Sequence, residues 1–236
     1  MATGYSVFAN NGHKIEPFLV DTITDSQGGI LFQETPLTVV GNTLAAAPIT
    51  PSILGSAPTL LATESEATAP PKVRAAPRVM DERISYIMNS ILRDVVERGT
   101  AKKAKALKRK DIGGKTGTTN GPTDAWFSGF NQHLVATAWV GFDNNKKIGK
   151  REYGGTAALP IWIEFMRTAL KGVPEQLPPR PDGIVTVRIN PETGEITTPD
   201  NPNGIDEIFL EENVPTAVAE SIDSDTGNNV SPEDIF

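Results

Sequence analysis

Cysteine is absent from all 236 residues, so neither a disulfide framework nor thiolate chemistry is available to this chain. Histidine is nearly absent as well. His13 and His133 are the only two, and their separation fits neither a metal site nor a catalytic triad, so surface or turn positions are expected for both. Aromatic residues make up 6% of the chain, which gives little to stack on nucleic-acid bases. No run of about 18 apolar residues occurs, and no basic-then-apolar leader follows Met1, so no membrane segment is expected. No metal or cofactor is expected either.

Glycine and proline, by contrast, number 21 and 19, which implies long irregular connections around the ordered elements. With 38% hydrophobic and 22% charged residues the chain holds enough apolar material for one or two globular domains. Residues 182–236 carry 13 acidic side chains and one basic, so the overall charge of −7 arises in this segment and the rest is net basic. Eight cations between Arg98 and Lys115 face Asp111 alone. Without interleaved aromatics, this run reads as a solvated helix-to-strand connection that also draws anionic ligands, not as a nucleic-acid site.

Periodicity supplies a coarse architecture. A helix closes at Asn10, and Asn11-Gly12 turns. Residues 15–24 and 30–34 read as a hairpin around Ser26-Gln27-Gly28-Gly29. Residues 36–78, rich in Ala, Pro, Ser and Thr, read as a variable loop or linker. Met80, Ile84, Ile87, Met88, Ile91, Leu92, Val95 and Val96 repeat at three and four, predicting a helix with one apolar face that ends at Gly99. The period then falls to two, predicting strands at 113–119, 125–130 and 134–142 in a meander. A last helix at 158–170 presents Leu159, Ile161, Trp162, Phe165, Met166 and Leu170 to that sheet. Residues 185–189 and 195–198 flank a turn and predict a further hairpin, inside a small β extension at 174–215; the acidic tail, 216–236, is expected to be disordered. Trp126, Phe127 and Trp139 are expected in the core, with Asp124 and Trp126 behind any site on the first strand.

Residues 111–130, DIGGKTGTTNGPTDAWFSGF, carry the most chemistry, centred on Lys115-Thr116-Gly117-Thr118. On a strand Thr116 and Thr118 share a face, and Lys115 must curl its stem to reach it. Gly117, having no side chain, lets a ligand's backbone come close. The set suits a substrate lying along a sheet edge with its carboxylate held by Lys115, Thr116 and Thr118. A phosphate-binding P-loop needs a glycine where Arg109 stands, preceded by an apolar strand in place of lysines. A glycine-rich turn entering a strand, with Lys115 merely solvated, remains the alternative.

The stretch from Asp111 to Asn120, followed by Asp124-Ala125-Trp126-Phe127, resembles the third active-site motif of the class A penicillin-binding proteins. The resemblance extends to the opening MATGYSVFANNG, to Gly99-Thr100-Ala101, to Trp139-Val140-Gly141-Phe142-Asp143 and to Ala158-Leu159-Pro160-Ile161-Trp162. It covers 1–35 and 78–173 closely and 184–215 loosely. It implies an α+β fold, part of the penicillin-binding/β-lactamase-like transpeptidase fold, in which 1–173 belong to the transpeptidase domain. In that family Lys115, as the catalytic residue, and Thr116, Gly117 and Thr118 bind a D-Ala-D-Ala stem peptide or a β-lactam. The Thr118 backbone N–H would form half of an oxyanion hole.

The same chemistry requires a Ser-x-x-Lys nucleophile and a Ser-x-Asn. No serine in this chain is followed by Lys at three positions or by Asn at two. The chain is therefore expected to be the C-terminal portion of a longer peptidoglycan cross-linking enzyme and inactive alone, with Met1 an internal methionine or the start of a truncated or split gene. The expected partners are the N-terminal remainder, peptidoglycan and β-lactams. The parent is expected at the periplasmic face of the bacterial inner membrane, anchored by a segment outside this chain. A non-catalytic interaction module of a cell-wall protein is the competing expectation.

Overall fold

The structure, a computed structural model, describes residues 1–39 and 74–215, and the chain divides into two compact units, Met1–Pro179 and Arg180–Phe236. The core of the expected variable loop, from 40 to 73, and the acidic tail lie outside the described residues.

The first unit opens with α1 (Ala2–Ala9), which stops where Asn11 and Gly12 both take positive φ. The expected hairpin is present but short, β1 (Thr22–Thr24) pairing with β2 (Ile30–Gln33). The Asp25 carboxylate closes its turn by accepting the amides of Gln27 and Gly29 at 2.8 and 2.7 Å. Residues 15–21 join no strand; Pro17 among them has no amide to donate. Two short strands, β3 (Leu37–Thr38) and β4 (Arg74–Ala75), pair in parallel.

The Asp81 side chain caps α2 (Glu82–Glu97) by accepting the Arg83 amide at 2.8 Å. Its buried stripe is Ser85, Asn89, Leu92 and Val96, so only part of the predicted apolar face is used; Ile84 and Ile91 are exposed. The Asn89 side chain in this stripe faces α1, donating to the Phe8 carbonyl. A 3₁₀ turn (Lys102–Leu107) then leads to the antiparallel sheet β5 (Gly113–Thr118), β6 (Asp124–Phe130) and β7 (Val135–Gly141), in that order. A π-helical turn (Gly154–Ala158) runs into α3 (Leu159–Ala169), which has proline in its first turn.

Alternation along β6 sends Ala125, Phe127 and Gly129 toward α3. Trp162 fills that side: it meets Phe127 edge-on at 4.9 Å, donates its indole N–H to the Ala136 carbonyl at 3.1 Å, and lies where any side chain at Gly129 would fall. Leu159, Ile163, Met166 and Leu170 complete the packed face of α3, whereas Ile161 and Phe165, expected inside, are exposed on its other side. Trp126 and Trp139 pair on the opposite face of the sheet, where Trp139 remains 44% exposed. Phe127 alone of the three aromatics is buried as expected.

One ionic clasp ties the start of β5 to the chain beyond α3. Asp111, its side chain fully buried, receives both Arg109 nitrogens at 2.7 and 2.8 Å, the Gln176 amide and the Asn131 side chain. Arg109 also donates to the Val173 and Pro174 carbonyls. Burial alone would raise the Asp111 pKa, but the Arg109 hydrogen bonds, the Gln176 amide and the guanidinium charge outweigh it and hold the carboxyl below its ordinary value.

In the second unit, β8 (Ile184–Ile189) pairs along its length with β9 (Ile205–Leu210). The expected partner, 195–198, contributes only an isolated bridge between Ile189 and Ile196. Prolines 199 and 202 interrupt the chain after it, while β9 offers six consecutive partners and Asp206 for Arg188.

A depressed carboxyl pKa contributes stability above its unfolded value and loses it as pH falls through the folded one. Asp111 should therefore steepen acid unfolding below about pH 4. Thermal melts from pH 7 to 2 should show an acid limb that Asp111→Asn flattens, and an unchanged limb would refute the clasp. Asp111→Ala, which strands a buried guanidinium, should cost on the order of 3 kcal/mol in denaturant titrations.

Candidate functional site

The β5 strand is the edge of its sheet, with β6 on one side and no described strand on the other. Its register sets Lys115 opposite Ser128, Thr116 opposite Phe127, Gly117 opposite Trp126 and Thr118 opposite Ala125. Just past the strand, the Thr119 amide donates inward to the Asp124 carbonyl at 3.1 Å. Because successive amides point to opposite edges, the Thr118 N–H is directed outward, together with the backbone of Thr116. A ligand adding along this edge meets main chain that no strand pairs, with the Thr116 carbonyl held only by the Lys115 side chain.

The side chains gather at the same edge. Lys115 is exposed and folds back along the strand, placing Nζ 3.0 Å from the Thr116 carbonyl and 3.4 Å from the Thr116 hydroxyl. It has no ion-pair partner among the described residues, so its charge is available to an incoming anion. Thr118 accepts the Gly154 N–H on its hydroxyl oxygen at 3.0 Å, leaving its own O–H free to donate. Gly117, between the two threonines, adds no side chain.

Two positions that the motif does not contain hold this edge in place. Gly154 lies against the strands so closely that a Cβ there would meet the Trp126 carbonyl at 2.4 Å and the Gly117 carbonyl at 2.6 Å. Thr100, in the turn after α2, sets its hydroxyl 2.8 Å from that of Thr116. Sequence reading passed over Gly154, although the Gly154-Gly155 doublet before an apolar helix is a usable signal for close backbone approach. Thr100 entered only as part of the Gly99-Thr100-Ala101 turn that carries the resemblance; its contact with Thr116, 16 residues away, is set by the fold.

Beyond Thr118 the β5–β6 turn is closed by Thr119, whose hydroxyl accepts the Thr123 and Asp124 amides at 3.1 and 2.9 Å. The Trp139 indole, at 3.0 Å, and the Thr123 hydroxyl, at 2.8 Å, keep the Asp124 carboxyl below its usual pKa. Asp124 and Trp126 therefore brace the turn and the strand from the far face. His13 bonds the Asn10 carbonyl, and among the described residues no cluster of His, Cys, Asp or Glu is arranged to hold a metal ion.

An antiparallel sheet with a terminal helix across one face and an open, cation-bearing edge strand belongs to a recognisable class of protein. Residues 1–167 match the model of the penicillin binding protein transpeptidase domain, and the chain belongs to that family. Within it, similar proteins include penicillin-binding proteins 1A: that of Pseudomonas aeruginosa is 41% identical over 93% of this chain, and that of Neisseria lactamica 40% identical over 78%. Residues 180–227 match the model of the penicillin-binding protein 1A C-terminal domain. The crystal structure of penicillin-binding protein 1A from Haemophilus influenzae superposes over 92% of this chain with a TM-score of 0.72 at 33% identity. This chain spans 28% of the Pseudomonas protein, 19% of the Neisseria one and 32% of the Haemophilus chain. The family and the α+β transpeptidase fold expected from the sequence are thus both borne out.

Substituting Gly154→Ala should push the π-helical turn off β5 and break its bond to Thr118. A loss of about 1–3 kcal/mol is expected, the usual range for overpacking. Faster amide exchange at residues 115–118 should accompany it, and protection equal to the wild type would show that the turn does not brace the strand.

Proposed function

We propose that this chain supplies one wall of a D,D-transpeptidase site that cross-links peptidoglycan stem peptides and is acylated by β-lactams. The observation that carries the reading is the open edge of β5, where the outward Thr118 N–H, the Thr116 and Thr118 hydroxyls and the unpaired Lys115 ammonium converge. A peptide ending in D-Ala-D-Ala lies along this edge as an added strand, its terminal carboxylate on Lys115, Thr116 and Thr118. Its scissile carbonyl oxygen is then next to the Thr118 amide, which takes up the charge that develops when a serine attacks.

That serine comes from outside this chain, since none here has lysine three positions on or asparagine two positions on. Its hydroxyl proton passes to the paired lysine, the terminal D-Ala leaves with a proton on its amine, and the amine of a second stem peptide displaces the serine to form the cross-link. Lys115 brings positive charge to the leaving side of this exchange. The exposed Ile84, Ile91 and Trp139 offer apolar surface for the missing part of the domain to cover. In this reading the complete protein works at the periplasmic face of the inner membrane, held there by a segment outside this chain, and needs no cofactor.

A fluorescent penicillin separates this reading from that of an interaction module. The 236-residue chain should not be labelled covalently. A longer polypeptide in which this chain follows a segment carrying Ser-x-x-Lys and Ser-x-Asn should be labelled. Lys115→Ala should slow that labelling on the order of a hundredfold, as removal of a transition-state electrostatic contact does. Stable acylation of the isolated chain would overturn the argument that the nucleophile lies elsewhere.

A further inference from the structure

Thr100 occupies a position that the chain has built with care. Three backbone hydrogen bonds, from Arg98 and Gly99 to the Asp94 carbonyl and from Ala101 to that of Val95, close the turn after α2 without using any side chain of the turn. Gly99 is pressed so closely on Val95 that a Cβ would fall 2.7 Å from its Cα, and Ala101 is fully buried. The Thr100 side chain is therefore presented from a rigid frame, and it remains exposed. Its hydroxyl is 2.8 Å from that of Thr116, and its carbonyl lies against the Gly155 backbone of the turn that also binds Thr118.

The proton count at Thr116 gives this contact a consequence. The Thr116 oxygen has two lone pairs and one proton. Lys115 addresses one lone pair, at 3.4 Å. If Thr100 donates to the other, the Thr116 proton has nowhere to go but outward, toward a ligand. If the polarity is reversed, Thr116 donates to Thr100 and the Thr100 proton is the one left over. In both cases the pair offers a single spare O–H, but only the first closes both Thr116 lone pairs and turns its O–H outward; the second leaves one lone pair open, so a bound carboxylate selects the polarity in which Thr100 donates. Without Thr100, Thr116 is free to rotate and to present a lone pair, which repels a carboxylate.

We propose that Thr100 is a positioning residue of the carboxylate clamp, whose hydroxyl orients that of Thr116 and so selects ligands that bear a carboxylate next to the scissile amide. The proposal rests on the transpeptidase reading and adds a specificity-determining residue from outside the motif. The role is one of ground-state recognition. It falls on ligand saturation, not on the limiting acylation rate, because the ligand's carboxylate carries the same charge in the ground state and in the transition state.

The test uses the longer polypeptide with its nucleophile and compares a penicillin with its methyl ester, which lacks the carboxylate charge. For Thr100→Val the saturation constant for the penicillin should rise about tenfold, the scale of a hydrogen bond to a charged group. Its limiting acylation rate, its melting temperature and its saturation constant for the ester should stay near wild type. Thr100→Ser, which keeps the hydroxyl, should restore penicillin binding. An unchanged constant for Thr100→Val, or an equal rise for acid and ester, overturns the proposal. Lys115→Ala is the control for the underlying reading: if it is acylated as fast as wild type, the clamp itself is wrong. If it is slow while Thr100→Val is normal, only the role of Thr100 falls.

Discussion

The packing of Trp162 on Phe127 and Gly129 is the contact on which the described site depends. It holds α3 across one face of the sheet, and the indole N–H satisfies the Ala136 carbonyl so that the large ring costs no unpaired polar group. Where α3 is held, the π-helical turn that begins it is held too. That turn brings Gly154 against Gly117 and lets its amide reach Thr118. A contact in the core is thereby converted into the orientation of a hydroxyl at the sheet edge, through one rigid helix and its first turn.

The edge strand is braced from both ends. At its start, Arg109 donates two hydrogen bonds to the buried Asp111 carboxylate and both bind the chain that follows α3, so β5 cannot slide without breaking an ion pair. At its end, Thr119 and Asp124 close the turn to β6. A one-residue slip would move Thr116 and Thr118 to the face that now carries Lys115. Between these two fixed points the strand leaves its outer amides unpaired, a liability at an ordinary sheet edge and an opportunity at a binding site. The acidic side chains near the motif are spent on these braces. Asp111 faces Arg109 and Asp124 faces Trp139, which leaves the Lys115 charge unneutralised.

Much of this was legible beforehand. Period-two alternation located β5, β6 and β7 to within a residue or so, and a period of three and four located α2 and α3, because those signals report local geometry that the tertiary structure keeps. Which apolar residues are covered was less legible. Ile161 and Phe165 sit on an apolar helix beside Trp162 and still face outward, because hydropathy says that a face is buried only when something lies against it. Trp139 follows the same rule across the sheet. The pairing of β8 with β9 also overrode the nearer candidate, since a hairpin suggested by one turn competes with a longer, proline-free partner.

The sequence by itself determined the family, the strand that carries Lys115, Thr116, Gly117 and Thr118, and the fact that no serine here has the spacing of a nucleophile. All of these are properties of residue order over a few positions. Only the tertiary structure decided which backbone amide of β5 faces outward, that Gly154 sets the Thr118 hydroxyl, and that Thr100 meets Thr116. The first follows from the register of β5 on β6, and the other two from contacts between residues 36 and 16 positions apart, which exist only once helix and sheet have packed.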